Sequence, residues 1–133
     1  MKKLLILFLV VGFPAMVFSQ DSKQPAPDIK KMTITKHVYD KGEKVYKELE
    51  VKYDAKGNII EEIENNEGIF VKHFVYIYDA AGNKIKETEM DAAGKVKKIT
   101  EYKYNSSNLR TEKLVYDASH KLKSKRVYQY ESY

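Results

Sequence analysis

The sequence predicts an all-β fold: an antiparallel meander of about eight strands, made of β-hairpin repeats and forming a curled open sheet or a partial barrel. Three observations carry that prediction. Two interleaved series of turn motifs recur with one spacing. The eight or nine residues between turns alternate in period two and are rich in β-branched and aromatic side chains. No segment offers the roughly twelve residues that a parallel crossover connection requires.

Taken in order, the chain opens with Lys2 and Lys3 ahead of an apolar run from Leu4 to Phe18, which exits through Val17-Phe18-Ser19. A basic flank, a short apolar stretch and a small-residue exit predict a signal peptide over residues 1–19, cleaved after Ser19. The run is shorter than the roughly 20 apolar residues of a membrane span, so the mature chain is not expected to span a membrane. Residues 20–31 hold two of the three prolines and show no apolar periodicity, which predicts a flexible leader. The expected location is secreted, periplasmic or extracellular. No cysteine follows the apolar run to carry a lipid, and none exists to form a disulfide. Stability must therefore come from packing and from the sheet ladder.

Residues 32–133 form the repeat domain. The first turn series begins at Tyr53-Asp54-Ala55-Lys56-Gly57-Asn58, recurs at Tyr78-Asp79-Ala80-Ala81-Gly82-Asn83 and, degraded, at Tyr104-Asn105-Ser106-Ser107-Asn108. Tyr130-Glu131 opens a fourth copy, so the leading tyrosines step by 25, 26 and 26. The second series is Asp40-Lys41-Gly42, Asn65-Asn66-Glu67-Gly68, Asp91-Ala92-Ala93-Gly94 and Asp117-Ala118-Ser119-His120, with the same steps. Asp or Asn at the start of a turn accepts bonds from amides further along, and Gly or Asn near its end tolerates positive φ.

Reading alternate residues back from each leading tyrosine predicts one shared face. It runs Tyr53, Val51, Leu49, Lys47, Val45 in the first unit and Tyr78, Tyr76, Phe74, Lys72, Phe70 in the second. The third unit gives Tyr104, Tyr102, Thr100, Lys98, Val96, and the fourth Tyr130, Tyr128, Arg126, Ser124, Leu122. The second of these strands is apolar on its other face too, through Ile77, Val75, Val71 and Ile69, and is expected to be the most buried.

The motif Tyr-Asp-x-x-Gly-Asn at residues 53–58 and 78–83, with Asp91-x-x-Gly94-Lys95 and Thr100-x-Tyr102-x-Tyr104, resembles the YD-repeat (RHS-type repeat) family of bacterial surface and toxin proteins. The resemblance covers roughly residues 39–131. It implies strips of β-hairpins, in some members spiralled into a shell around a toxin domain, and a link of some members to carbohydrate binding. Here the units are a few residues longer than typical, Gly-Arg in the turn is replaced by Gly-Asn or Gly-Lys, and fewer than four units are present.

The chemistry-bearing residues exclude most activities. His37, His73 and His120 have no second histidine or cysteine at ligand spacing. The turn aspartates lack the alternating oxygens of a calcium loop. No nucleotide-binding or serine-hydrolase motif occurs, and the glutamates are spread along strands among lysines. No enzyme, metal or cofactor is expected. Removing Lys2 and Lys3 leaves 22 basic residues against 19 acidic ones, a net charge of +3, too small to point to nucleic acid.

Two features suit ligand binding. One is the aromatic ladder Tyr53, Tyr76, Tyr78, Tyr102, Tyr104, Tyr128 and Tyr130, able to stack on sugars or peptide unless the rings form the core. The other is the row Lys47, Lys72 and Lys98, able to meet an anionic polysaccharide unless the lysines sit at a sheet margin. The expected function is a non-catalytic envelope or extracellular binding or structural module, with an envelope polysaccharide or a protein as partner. The alternative is a toxin-system binder or shell fragment related to YD-repeat proteins.

Overall fold

The computed structural model describes residues 28–133, so the expected signal peptide and most of the expected leader lie outside the described residues. The chain forms one eight-stranded sheet whose strands follow one another in sequence order. They are β1 (Lys31–Val38), β2 (Lys44–Tyr53), β3 (Ile59–Asn66), β4 (Ile69–Tyr78), β5 (Lys84–Met90), β6 (Val96–Tyr104), β7 (Arg110–Asp117) and β8 (Leu122–Val127). Every pairing is antiparallel. β1 and β8 do not meet, so the sheet is open and not closed into a barrel. Lys30 already belongs to it, since its carbonyl accepts a bond from the Tyr53 amide.

The turns follow from their first residue. Asp54 Oδ1 accepts bonds from the amides of Lys56 and Asn58, Asp91 Oδ1 from those of Ala93 and Lys95, and Asp117 Oδ1 from those of Ser119 and Lys121. Asn105 repeats the arrangement with Ser107 and Leu109. The fourth residue of each turn that begins at Asp54, Asp79, Asp91, Asn105 or Asp117 takes positive φ. Gly57, Gly82 and Gly94 fill that position, and Asn108 (φ 60°) and His120 (φ 62°) replace glycine in the degraded copies. The β1–β2 and β3–β4 connections differ: Lys41 and Gly42 both have positive φ in the first, and Glu67 and Gly68 both have it in the second, a two-residue reversal.

The alternation is interrupted once in every hairpin. Leu49 pairs with Ile34 but Lys47 with Thr35, leaving Glu48 as an extra residue. In the same way Val71, Lys97 and Lys123 are extra in β4, β6 and β8, and Ile60, Ile85 and Thr111 in β3, β5 and β7. A bulge shifts the later residues of its strand to the other face. The expected single face therefore breaks. Val45, Lys47, Phe70, Val96 and Leu122 lie, by register, opposite the tyrosines.

One layer gives little burial. Val51 is fully enclosed, and Leu49, Tyr76, Ile99, Tyr102 and Leu114 complete the apolar core. The expectation that β4 is the most buried strand does not hold. Ile69 is 72% exposed, and Val71 and Ile77 about half exposed, because among the described residues no second layer covers either face of the sheet. The central residues of β2 and β6 are better enclosed.

Candidate functional site

The tyrosine face is built by repetition. Val51, Tyr76 and Tyr102 stand opposite Glu62, Glu87 and Lys113 on the following strands. Tyr53, Tyr78 and Tyr104 stand opposite Ile59, Lys84 and Arg110. Three of the motif tyrosines also tie back to the preceding return strand. The hydroxyls of Tyr78, Tyr104 and Tyr130 donate to the carbonyls of Ile59, Lys84 and Arg110 at 2.7–2.8 Å. The repeated spacing of these tyrosines in the chain thus has a mechanical cause: each ring reaches the adjacent return strand and pins it to the strand that follows.

Tyr76 and Tyr102 are buried, whereas Tyr53, Tyr78, Tyr104 and Tyr128 are half-buried and Tyr130 is exposed. Cations fill the spaces between the rings. Lys84 is only 5% exposed, with its Nζ 5.0 Å from the Tyr76 ring centre and 5.4 Å from that of Tyr102. Arg110 Cζ lies 4.3 Å from the Tyr102 ring centre and 5.9 Å from that of Tyr104. Such cation–aromatic contacts strengthen when water is excluded. Burial pushes the Tyr102 phenol up to about 12, with the Glu87 charge adding to it. Burial, then the charges of Glu62 and Glu87, raises Tyr76 still further, and its hydroxyl donates to Glu62.

The three lysines expected in one row are not one row. Lys72 and Lys98 share the tyrosine face, where Lys72 Nζ lies 2.7 Å from Glu62 and 3.2 Å from Glu64, and Lys98 Nζ lies 2.9 Å from Glu89. Burial works against the Lys72 ammonium, but Glu62 and Glu64 outweigh it and raise its pKa. Lys47 is carried to the opposite face by the Glu48 bulge and there meets Glu50 at 3.0 Å. Hydrogen bonds from Lys97 and then Lys98 hold Glu89 below the ordinary glutamate value.

The opposite face holds ion-pair groups of its own. Lys52 and His73 converge on Glu61, and Lys103 and Lys125 on Glu112. Lys52 first, and then His73, keep the Glu61 carboxyl low. Among the described residues no three His, Asp or Glu side chains gather as a metal site requires, and no helix is long and apolar enough to cross a membrane.

Lys84 and Arg110, the cations between the rings, were not among the expected site residues. They sit at the starts of return strands, before the bulges at Ile85 and Thr111, where simple alternation misplaces them. Their signal in the sequence is a basic residue six positions after Tyr78 and Tyr104. No family model, no curated protein and no solved structure matches this chain.

Proposed function

We propose that this chain is an exported, non-catalytic repeat module that binds an extended envelope glycan or an envelope protein on its tyrosine face. One observation carries the reading: among the described residues the sheet is a single layer, so a face bearing half-buried Tyr53, Tyr78, Tyr104 and Tyr128 has no second layer over it there. Apolar bodies with polar tips suit contact with sugar or peptide. Asp-anchored turns and tyrosine bonds between neighbouring strands hold that surface in a fixed shape, which lowers the ordering cost of binding. The likeness to YD repeats belongs to the same proposal and is supported by the Asp-anchored turns at Asp54, Asp79 and Asp91.

The test is a binding screen of the chain from residue 20 onward against envelope polysaccharides and envelope proteins, read by tyrosine fluorescence. Saturable binding to one class is expected, weakened about tenfold by Tyr104→Ala while the thermal transition persists. Absence of saturable binding to every fraction would remove the reading.

A further inference from the structure

The repeat makes it possible to compare one position across units, and one such comparison shows a reversal of charge. On the tyrosine face Val51, Tyr76 and Tyr102 oppose residues 62, 87 and 113, and Leu49, Phe74 and Thr100 oppose residues 64, 89 and 115. In the first two units all four return-strand residues are glutamates: Glu62, Glu64, Glu87 and Glu89. In the third they are Lys113 and Val115.

The glutamates have partners. Lys72 meets Glu62 and Glu64, Lys98 meets Glu89, and the buried Lys84 lies 2.7 Å from Glu87. Where Val115 replaces the second glutamate, Ser124 replaces the lysine that would have met it, so acid and base are lost together. Where Lys113 replaces the first glutamate, nothing compensates. Arg110 keeps the position that Lys84 has one unit earlier. Arg126 pairs directly across the strands with Lys113, where the earlier units pair Glu62 with Phe74 and Glu87 with Thr100.

Like charges directly opposite one another destabilise a sheet. Among the described residues no carboxylate forms an ion pair with Arg110, Lys113 or Arg126. The guanidinium of Arg110 leans on the hydroxyls of Tyr104 and Tyr128, and its Nε has no hydrogen-bond acceptor.

We propose that this corner of the tyrosine face, Arg110, Lys113 and Arg126 around Tyr102 and Tyr128, is an anion site for the carboxylates of a uronate-bearing acidic polysaccharide. The inference rests on the ligand-binding reading above and names the ligand class. The site takes in trans the carboxylate that Glu87 supplies in cis to Lys84. A polysaccharide fits this surface better than an acidic peptide does. The donors here are side chains on a sheet face, matched by carboxylates and hydroxyls alone. An extended peptide must also satisfy its own amides and carbonyls, which a sheet edge does and a sheet face does not.

The experiment uses polygalacturonate as probe, with dextran, poly-glutamate and envelope fractions alongside, on the purified protein and three variants. Polygalacturonate is expected to bind in a salt-sensitive manner. Lys113→Glu and Arg126→Gln are expected to weaken it about tenfold or more. Lys56→Glu, which changes the net charge equally but lies in the β2–β3 turn, is expected to leave binding within about twofold. Lys113→Glu is also expected to raise the melting temperature, because it restores the charge pattern of the earlier units.

Equal weakening by Lys56→Glu would overturn the site in favour of diffuse charge. Poly-glutamate binding with the same dependence on Lys113 would overturn the polysaccharide in favour of an acidic protein. If polygalacturonate fails while dextran or an envelope fraction binds, this inference falls and the broader reading stands. If nothing binds, both fall.

Discussion

At the turns, the cost of a substitution is set by the backbone rather than by contacts. Gly94 has a φ of 76°, and an added Cβ would meet nothing within 4 Å. Gly94→Ala therefore pays only for the left-handed conformation, about 1 kcal/mol, measurable as a shift in the urea midpoint. His120 holds the same conformation with a side chain attached. His120→Gly is expected to stabilise by a few tenths of a kcal/mol, since strain is relieved but the unfolded chain gains freedom. The need for positive φ was legible at Gly57, Gly82 and Gly94. At Asn108 the residue type itself admits it, and at His120 it was legible only through the repeat, because nothing in an isolated histidine announces a left-handed residue.

The phenols make a second residue-scale prediction. Of the 11 tyrosines, Tyr53, Tyr76 and Tyr102 have raised pKa values, Tyr102 to about 12, chiefly through burial. In an absorbance titration at alkaline pH these three should ionise after the exposed rings. The late phase should coincide with loss of the folded circular dichroism signal.

Among the elements, burial follows position in the register rather than the apolar content of a strand. β4 is the most apolar strand, yet Ile69, Val71 and Ile77 face solvent. β6 is studded with charge, yet Ile99, Thr100 and Tyr102 are buried. Tyr102→Ala should accordingly cost about 3–5 kcal/mol, as truncation of a buried aromatic does. Ile69→Ala should stay within about 0.5 kcal/mol. Thermal melts of the two variants decide between this assignment and the one that alternation alone gave. Alternation failed for two physical reasons: among the described residues no second layer covers β4, and bulges move residues between faces. Each hairpin carries one extra residue, and a single extra residue exchanges the two faces beyond it.

Across the whole molecule, each strand touches only its neighbours in sequence, so stability should behave as a chain of hairpin terms. Deleting residues 118–133, which removes β8, should lower the melting temperature while the rest of the sheet persists by circular dichroism.

Stability should also have two pH limits. Glu50, Glu61, Glu89, Asp79 and Asp117 are held below their ordinary values by lysines, amides or hydroxyls, Asp117 to about 2 through Ser119 and the Lys121 amide. A depressed carboxyl stabilises the fold above its unfolded pKa of about 4, and that contribution is lost as the pH falls through the folded value. Tyr53, Tyr76 and Tyr102, with raised values, stabilise the fold below their unfolded pKa of about 10 and lose that contribution as the pH rises through each folded value, about 12 for Tyr102. Urea midpoints should therefore be level between about pH 5 and pH 10 and fall on both sides.

The sequence by itself determined the number of strands, their antiparallel order and the place of every turn. These depend on local chemistry: an Asx residue that caps a turn, a residue able to take positive φ, and segments too short for a crossover. Only the tertiary structure decided which side chains share a face, whether the ends of the sheet meet, and that Lys84 and Arg110 fill the gaps between the rings. Those features depend on register, which bulges shift by one residue at a time, and on sheet geometry summed over eight strands. The charge reversal at Lys113 belongs to both levels. The residue can be read in the sequence, but its lack of a carboxylate partner appears only when Arg126 is placed across from it.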